Sequence, residues 1–298
     1  MITQTIGDGG SVPVLESRYE VAEAIGAGTV GIVYAARDLE LGIDVAVKVM
    51  RDEYASSPEI VAQFAHEARI SARMLSPHVV KVLGVAVTST GSPCIVYERL
   101  VGESLADRLD REGTLSLTET TDIVRQTAMA LARVHNLGVV HRDVKPANIF
   151  LVAVPGGRTL VKLLDFGIAT EMDACGSTKN VLIGTPEYIA PEVLFGKQHI
   201  DTRADLYALG VVAFECLTGR CPFPGTTIDD VFLRLARGTR VSLSDLRPEL
   251  DCEIEEWMDR ALHVDAFWRF SSAMDLVDGM ITAVRSSRRP QAILRNAA

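Results

Sequence analysis

Near residue 100 the chain changes its rhythm, and the two patterns demand two kinds of packing. From Tyr19 to Tyr97 short runs rich in Val and Ile recur, among them Gly31–Tyr34, Asp44–Val49 and Val80–Val87. That is the pattern of β-strands. One helix interrupts them. Ser57 suits its N-cap, Pro58 its first turn, and Ile60, Val61, Phe64 and Ala68 share one face. After Leu100 the pattern turns helical. Ser116-Leu117-Thr118-Glu119 reads as a capping box ahead of a stripe of Ile123, Val124, Ala128, Leu131 and Val134, with Gly138 placed to stop the helix. Pro155-Gly156-Gly157 joins two short apolar runs as a hairpin. Further helices are expected over 202–218, 227–237, 251–263 and 271–285. The expected fold is α+β. A flexible arm at 1–18 precedes a β-rich lobe at 19–97, a connector at 98–101, a helical lobe at 102–284 and a basic tail at 285–298.

The bulk properties exclude several classes. A net charge of −9 argues against a nucleic-acid binder. The charge is uneven, because residues 281–298 carry Arg285, Arg288, Arg289 and Arg295 and no acid. Cys94, Cys175, Cys216, Cys221 and Cys252 are odd in number and form no C-x-x-C pair, which fits a reducing cytoplasm. The start lacks a basic segment followed by an apolar run, so no signal peptide is expected. The apolar stretch Leu206–Phe214 is far too short to span a bilayer.

Four motifs carry chemistry. Gly26, Gly28 and Gly31 form G-x-G-x-x-G, a spacing that lets backbone N–H groups approach phosphate oxygens. Alone it equally suggests a dinucleotide site, but that needs a helix directly after the glycines. Ile32-Val33-Tyr34 reads as strand instead. Lys48 interrupts the β-branched run Val45-Ala46-Val47, so its ammonium must face something anionic rather than the sheet core. His141-Arg142-Asp143-Val144-Lys145-Pro146-Ala147-Asn148 sets an acid, a cation and an amide on one short loop. Its five fixed residues would recur by chance at on the order of one start position in three million. Asp165-Phe166-Gly167 adds a second acid.

In this order the motifs resemble those of eukaryotic-like (Hanks-type) Ser/Thr protein kinases, in wording nearest to bacterial members, from about Tyr19 to about Val284. The resemblance implies a two-lobed protein-kinase-like fold and phosphoryl transfer from ATP, with Mg²⁺, to Ser and Thr of protein substrates. It makes Asp143 the catalytic base and Lys145 the neutraliser of charge on the transferred group. Lys48 is then the phosphate ligand, held by Glu67, and Asn148 and Asp165 are the metal ligands. Gly26, Gly28, Gly31, Val33, Ala46, Glu98 and Leu100 line the nucleotide, with Tyr97 guarding the rear of the adenine pocket. Glu192 of Ala190-Pro191-Glu192 is expected against Arg269, and Asp205 against the backbone of the catalytic loop. A local reading competes for Asp205, since Thr202-Arg203-Ala204-Asp205 has nearly the spacing of a capping box. Thr185 marks the Ser/Thr branch. Thr178 and Ser177 are candidate phosphorylation sites, with Arg142 as phosphate partner and a second copy of the chain as the source. The competing reading is a catalytically weak pseudokinase acting as a nucleotide-binding scaffold.

Overall fold

The computed structural model describes Leu15 and residues 18–165, 186–196, 200–225 and 228–287. These residues divide into two compact units. One holds the described residues through Leu75 together with Val79–Val101. The other holds Ser76–His78 and the described residues from Gly102 onward.

The first unit is a five-stranded antiparallel sheet with two helices. Its elements are β1 (Tyr19–Ala27), β2 (Gly31–Asp38), β3 (Ile43–Met50), α1 (Asp52–Ala55), α2 (Pro58–Ala72), β4 (Val82–Val87) and β5 (Pro93–Glu98), in sheet order β1-β2-β3-β5-β4. Strand alternation assigns the faces. Val45, Val47 and Val49 of β3 join Ala36, Cys94, Val96 and Leu15 in one buried cluster. Successive side chains alternate, so Ala46 and Lys48 face the other way, with their cross-strand partners Ala35, Val33, Tyr97 and Ile95. Leu15 and Arg18 lie within the range read as an arm. Leu15 is buried and bridges to Thr88, and Arg18 pairs with Asp38 at 2.7 Å. Ser57 caps α2 by accepting from the Ile60 N–H at 3.5 Å. The face that α2 buries is Phe64, Glu67, Ala68 and Ser71, while Ile60 and Val61 stay half-buried.

The second unit opens with β6 (Gly102–Ser104), α3 (Leu105–Glu112) and α4 (Leu117–His135). The hairpin β7 (Ile149–Val154) and β8 (Arg158–Leu163) extends β6 into a three-stranded sheet. Then follow α5 (Pro191–Leu194), α6 (Arg203–Thr218), α7 (Ile228–Arg237), α8 (Leu243–Leu246), α9 (Cys252–Ala261) and α10 (Ala273–Ser287). α6 is apolar nearly all round and is correspondingly buried, with Tyr207 and Phe214 wholly inside. Gly210 lets it approach α9 closely, for a Cβ there would lie 3.0 Å from that of Ala261.

Two capping expectations need correction. At Ser116 only half of the box forms. The Ser116 hydroxyl accepts from the Glu119 N–H at 3.1 Å, but the Glu119 carboxylate accepts from Arg108 instead. A charged donor outcompetes a neutral one for the same oxygens. The complete box stands at Ser104 and Asp107, ahead of α3. At Thr202 no side-chain cap forms. The Asp205 carboxylate is held instead by the loop that follows α4.

Candidate active site

In the first unit, the β1–β2 turn is closed by the Gly28 N–H donating to the Gly31 carbonyl at 2.8 Å. Gly31 is dictated by the fold, because a Cβ there would meet the Val49 carbonyl oxygen at 2.7 Å. Gly26 and Gly28 are not crowded in this way, their nearest neighbours standing at 3.8 and 3.7 Å. The packing around those two places does not itself exclude a side chain. Val33 stands cross-strand from Lys48, and Ala46 from Tyr97.

Lys48 donates from Nζ to Glu67 Oε1 at 3.0 Å, with side-chain exposures of 10% and 8%. The ammonium also lies 5.9 Å from the centre of the Phe64 ring. The Tyr97 hydroxyl donates to the same Glu67 oxygen at 3.3 Å. Glu98 exchanges two bonds with Lys81: its N–H donates to the Lys81 carbonyl at 3.0 Å, and its Oε1 accepts from the Lys81 N–H at 2.8 Å. Leu100 follows at the boundary of this unit, half-buried.

In the second unit, Asp205 organises the loop after α4. Its Oδ2 accepts from the His141 N–H and from His135 Nε2, and its Oδ1 from the Arg142 N–H, each at 2.8 Å. The carboxylate is buried, and such a group requires this many donors. Presenting two successive N–H groups to one carboxylate bends the loop, and Arg142 sits at φ +68°, a region a non-glycine residue adopts only under constraint. The bend turns Asp143 outward. Lys145 Nζ donates to Asp143 Oδ1 at 2.8 Å, and Asn148 Nδ2 donates to Asp143 Oδ2 at 2.7 Å and to the Asp143 carbonyl at 2.8 Å. The Asn148 Nδ2 is thereby committed to Asp143. Asp165 has φ +33° at the end of the described stretch.

His141 is fully enclosed. Its Nδ1 accepts from the Asp143 N–H at 3.3 Å, so the proton sits on Nε2, which donates to the Leu164 carbonyl at 3.0 Å. Burial lowers its pKa, against the opposing pull of Asp205 and Asp143. An unfolded histidine gains its proton near pH 6.5, while folded His141 resists until lower pH. The unfolded state therefore binds more protons, and the stability contributed here is complete above about pH 6.5 and lost as pH falls toward the folded value. The fall in urea midpoint from pH 7.5 to pH 5.5 should accordingly be smaller in His141→Gln than in the wild type. Equal falls would place the acid sensitivity elsewhere.

Glu192 and Arg269 meet as expected. Arg269 grips both Glu192 oxygens at 2.8 and 2.7 Å and gives its other N–H donors to the carbonyls of His263, Arg203 and Val264. Phe166, Cys175, Ser177, Thr178 and Thr185 lie outside the described residues.

Sequence reasoning missed two features. His135 carried no signal beyond that of a basic residue in a helix's last turn. The second is a pocket of about 170 Å³ beside Lys145, lined also by Leu109, Asp110, Tyr188 and Glu215. The Tyr188 hydroxyl donates to Glu215 Oε2 at 2.5 Å, and burial raises the Glu215 pKa. Ala147 lines this pocket without contributing a charge, while Asp110 and Glu215 bring carboxyl groups to it beside the Lys145 ammonium.

The profile of the protein kinase domain matches residues 19–293. The chain belongs to the protein kinase family. The kinase domain is 36% identical over 281 residues to the serine/threonine-protein kinase PknA of Mycobacterium tuberculosis, covering 93% of this chain and 63% of PknA. It is 35% identical to PknB of Mycobacterium leprae, covering 94% of this chain and 45% of PknB. The chain thus spans less than two thirds of the length of these curated relatives. Among solved structures, the PknI kinase domain of M. tuberculosis matches with a TM-score of 0.69 at 28% identity, covering 92% of this chain and 99% of that one. A structure of Rad53 with AMP-PNP matches with a TM-score of 0.73 at 26% identity, covering 88% of this chain and 64% of that one. The sheet-rich unit and the helical unit are the two parts of a protein kinase fold. Among the described residues no helix is long and apolar enough to cross a membrane.

Proposed function

We propose that this domain transfers the γ-phosphoryl group of ATP, with Mg²⁺, to Ser and Thr hydroxyls of protein substrates. The observation that carries the reading is the Asp143 carboxylate, aimed by Asn148 on one oxygen and by Lys145 on the other. An acceptor hydroxyl forms the new P–O bond as the bond to the β,γ-bridging oxygen breaks. Its proton passes to Asp143, and ADP leaves. Lys145 offsets the charge on the transferred group. Lys48, oriented by Glu67, takes the α- and β-phosphates. The turn that carries Gly26, Gly28 and Gly31 lets the phosphates approach its backbone without a side-chain clash, Val33 and Ala46 cover the adenine, and Glu98 and Leu100 meet its edge.

The residues present fit the metal. Asn148 has committed its Nδ2 to Asp143 and so offers its amide oxygen, while Asp165 offers carboxylate oxygens, both hard donors suited to Mg²⁺. When bound, that metal screens the phosphates and polarises the transferred group. Thr185 favours Ser/Thr acceptors. Thr178 or Ser177, modified by a second copy of the chain, would be met by Arg142. A cytoplasmic setting suits the free thiols, of which Cys94 and Cys216 are buried and Cys252 is exposed. The charge of −9 speaks against nucleic acid as a partner. A scaffold without transfer is the weaker reading, since the lysine, the base and the acid of the metal site are all retained.

The test is incubation with labelled ATP, Mg²⁺ and a generic acceptor protein, followed by phosphoamino-acid analysis. Phosphoserine and phosphothreonine are expected, without phosphotyrosine. The control is Lys48→Arg rather than Lys48→Met, because a neutral side chain would leave the buried Glu67 without its ammonium. Arginine keeps a cation there but misplaces it, and should lower transfer more than about tenfold with the fold retained. Undiminished transfer in Lys48→Arg would overturn the assignment of the nucleotide site.

A further inference from the structure

Tyr97 does more than fill the end of β5. Its ring is buried, 6% exposed, and faces Ala46 across the strand pair, one same-face step from the Lys48–Ile95 pair. A phenylalanine or methionine would supply the same apolar bulk. A buried phenol additionally needs a partner for its hydroxyl, and here that partner is Glu67 Oε1 at 3.3 Å, the oxygen that also receives Lys48 Nζ at 3.0 Å.

Glu67 is therefore held from two directions on one atom. Lys48 reaches it along a flexible four-carbon stem. Tyr97 reaches it from the sheet itself, through a rigid ring with only two side-chain torsions. The ammonium has a second task in the proposed mechanism, because it must turn toward the phosphates. The phenol's bond to Glu67 requires no such turn.

We infer that Tyr97 is a positioning residue for phosphoryl transfer: its hydroxyl, donated to Glu67 Oε1, keeps this glutamate and the α2 helix that bears it in place while Lys48 engages the nucleotide. The inference rests on the proposed roles of Lys48 and Glu67. It assigns the tyrosine hydroxyl a role distinct from the ring, whose bulk closes the rear of the adenine side whether or not the oxygen is present.

The decisive variant is Tyr97→Phe, which removes one oxygen and keeps the ring. At saturating ATP and Mg²⁺ its kcat should fall by about tenfold, the scale of one hydrogen bond to a charged group. KM for ATP should change far less, because the ring and the adenine contacts remain. Amide hydrogen exchange across Pro58–Ala72 should quicken. In a Glu67→Ala background the same substitution should change neither kcat nor the exchange of α2, since the bond is already gone. A purely packing role predicts instead a lower melting temperature in both backgrounds, with kcat of the folded protein unchanged. Wild-type kcat and wild-type exchange in Tyr97→Phe would overturn the inference, as would an equal fall in the Glu67→Ala background. The two levels separate cleanly. If Lys48→Arg and Glu67→Ala transfer normally, the site reading fails. If they are impaired and Tyr97→Phe is not, only the tyrosine's role fails.

Discussion

Asp143→Asn should lower turnover at least about a hundredfold, a rise of roughly 2.7 kcal/mol in the barrier, while leaving nucleotide binding and melting temperature close to the wild type. The change removes the proton acceptor and replaces one accepting oxygen by an amide NH2. Asp143 is 31% exposed at its side chain, so the fold does not depend on it as it does on a buried carboxylate. Locally, asparagine can present one oxygen where the acid presents two. It can accept from Lys145 or from Asn148, but not from both. The variant should therefore bind ATP normally by calorimetry and fail in a single-turnover assay. Turnover within about threefold of the wild type would remove Asp143 from the chemistry. A comparable loss of melting temperature would mean that the acid holds the loop rather than the proton.

The largest stability effect is expected at Arg269→Ala. The guanidinium is wholly buried, grips Glu192 with both arms, bonds three backbone carbonyls and lies 4.8 Å from the centre of the Tyr207 ring. Truncation leaves a buried carboxylate and three carbonyls without this donor, a defect worth about 3–5 kcal/mol. Lysine is no remedy, because it has three donors and no fork to match the carboxylate. Trp257 and Trp268 both belong to the unit that contains Arg269, so tryptophan fluorescence in urea reports its unfolding. The midpoint should fall sharply in Arg269→Ala. Pairing Arg269→Met with Glu192→Leu should recover much of the loss, because it removes both charges together. A loss below about 1 kcal/mol in Arg269→Ala would show that the pair is not the anchor its geometry implies.

Much of this protein kinase domain is legible in its amino-acid sequence alone. Local rules decide local structure, and here they are strong. Ser57 and Pro58 mark the start of α2, and Pro155-Gly156-Gly157 marks the turn between β7 and β8. The β-branched runs that form β2, β3 and β4 and the helices α6, α7, α9 and α10 also lie near their expected places. The motif residues can be named because phosphoryl transfer needs an acid, a cation and metal ligands at short spacing, and such a set rarely occurs by chance.

What the sequence cannot decide is competition between partners distant in the chain. Asp205 fits a local cap three residues after Thr202, yet its carboxylate bonds the His141 N–H, 64 residues away. Two convergent backbone donors and a histidine prevail over the single Thr202 N–H that a local capping box would offer this carboxylate, and nothing in the local spacing reveals that they converge. Glu119 leaves its capping box for Arg108 for the same reason. The bond from Tyr97 to Glu67 spans 30 residues and exists only because sheet register sets the tyrosine on the face that Lys48 shares. Residue type and spacing along the chain fix which chemistry is available. Which oxygen receives which proton is a matter of distance in three dimensions, and only the packed strands and helices set that distance.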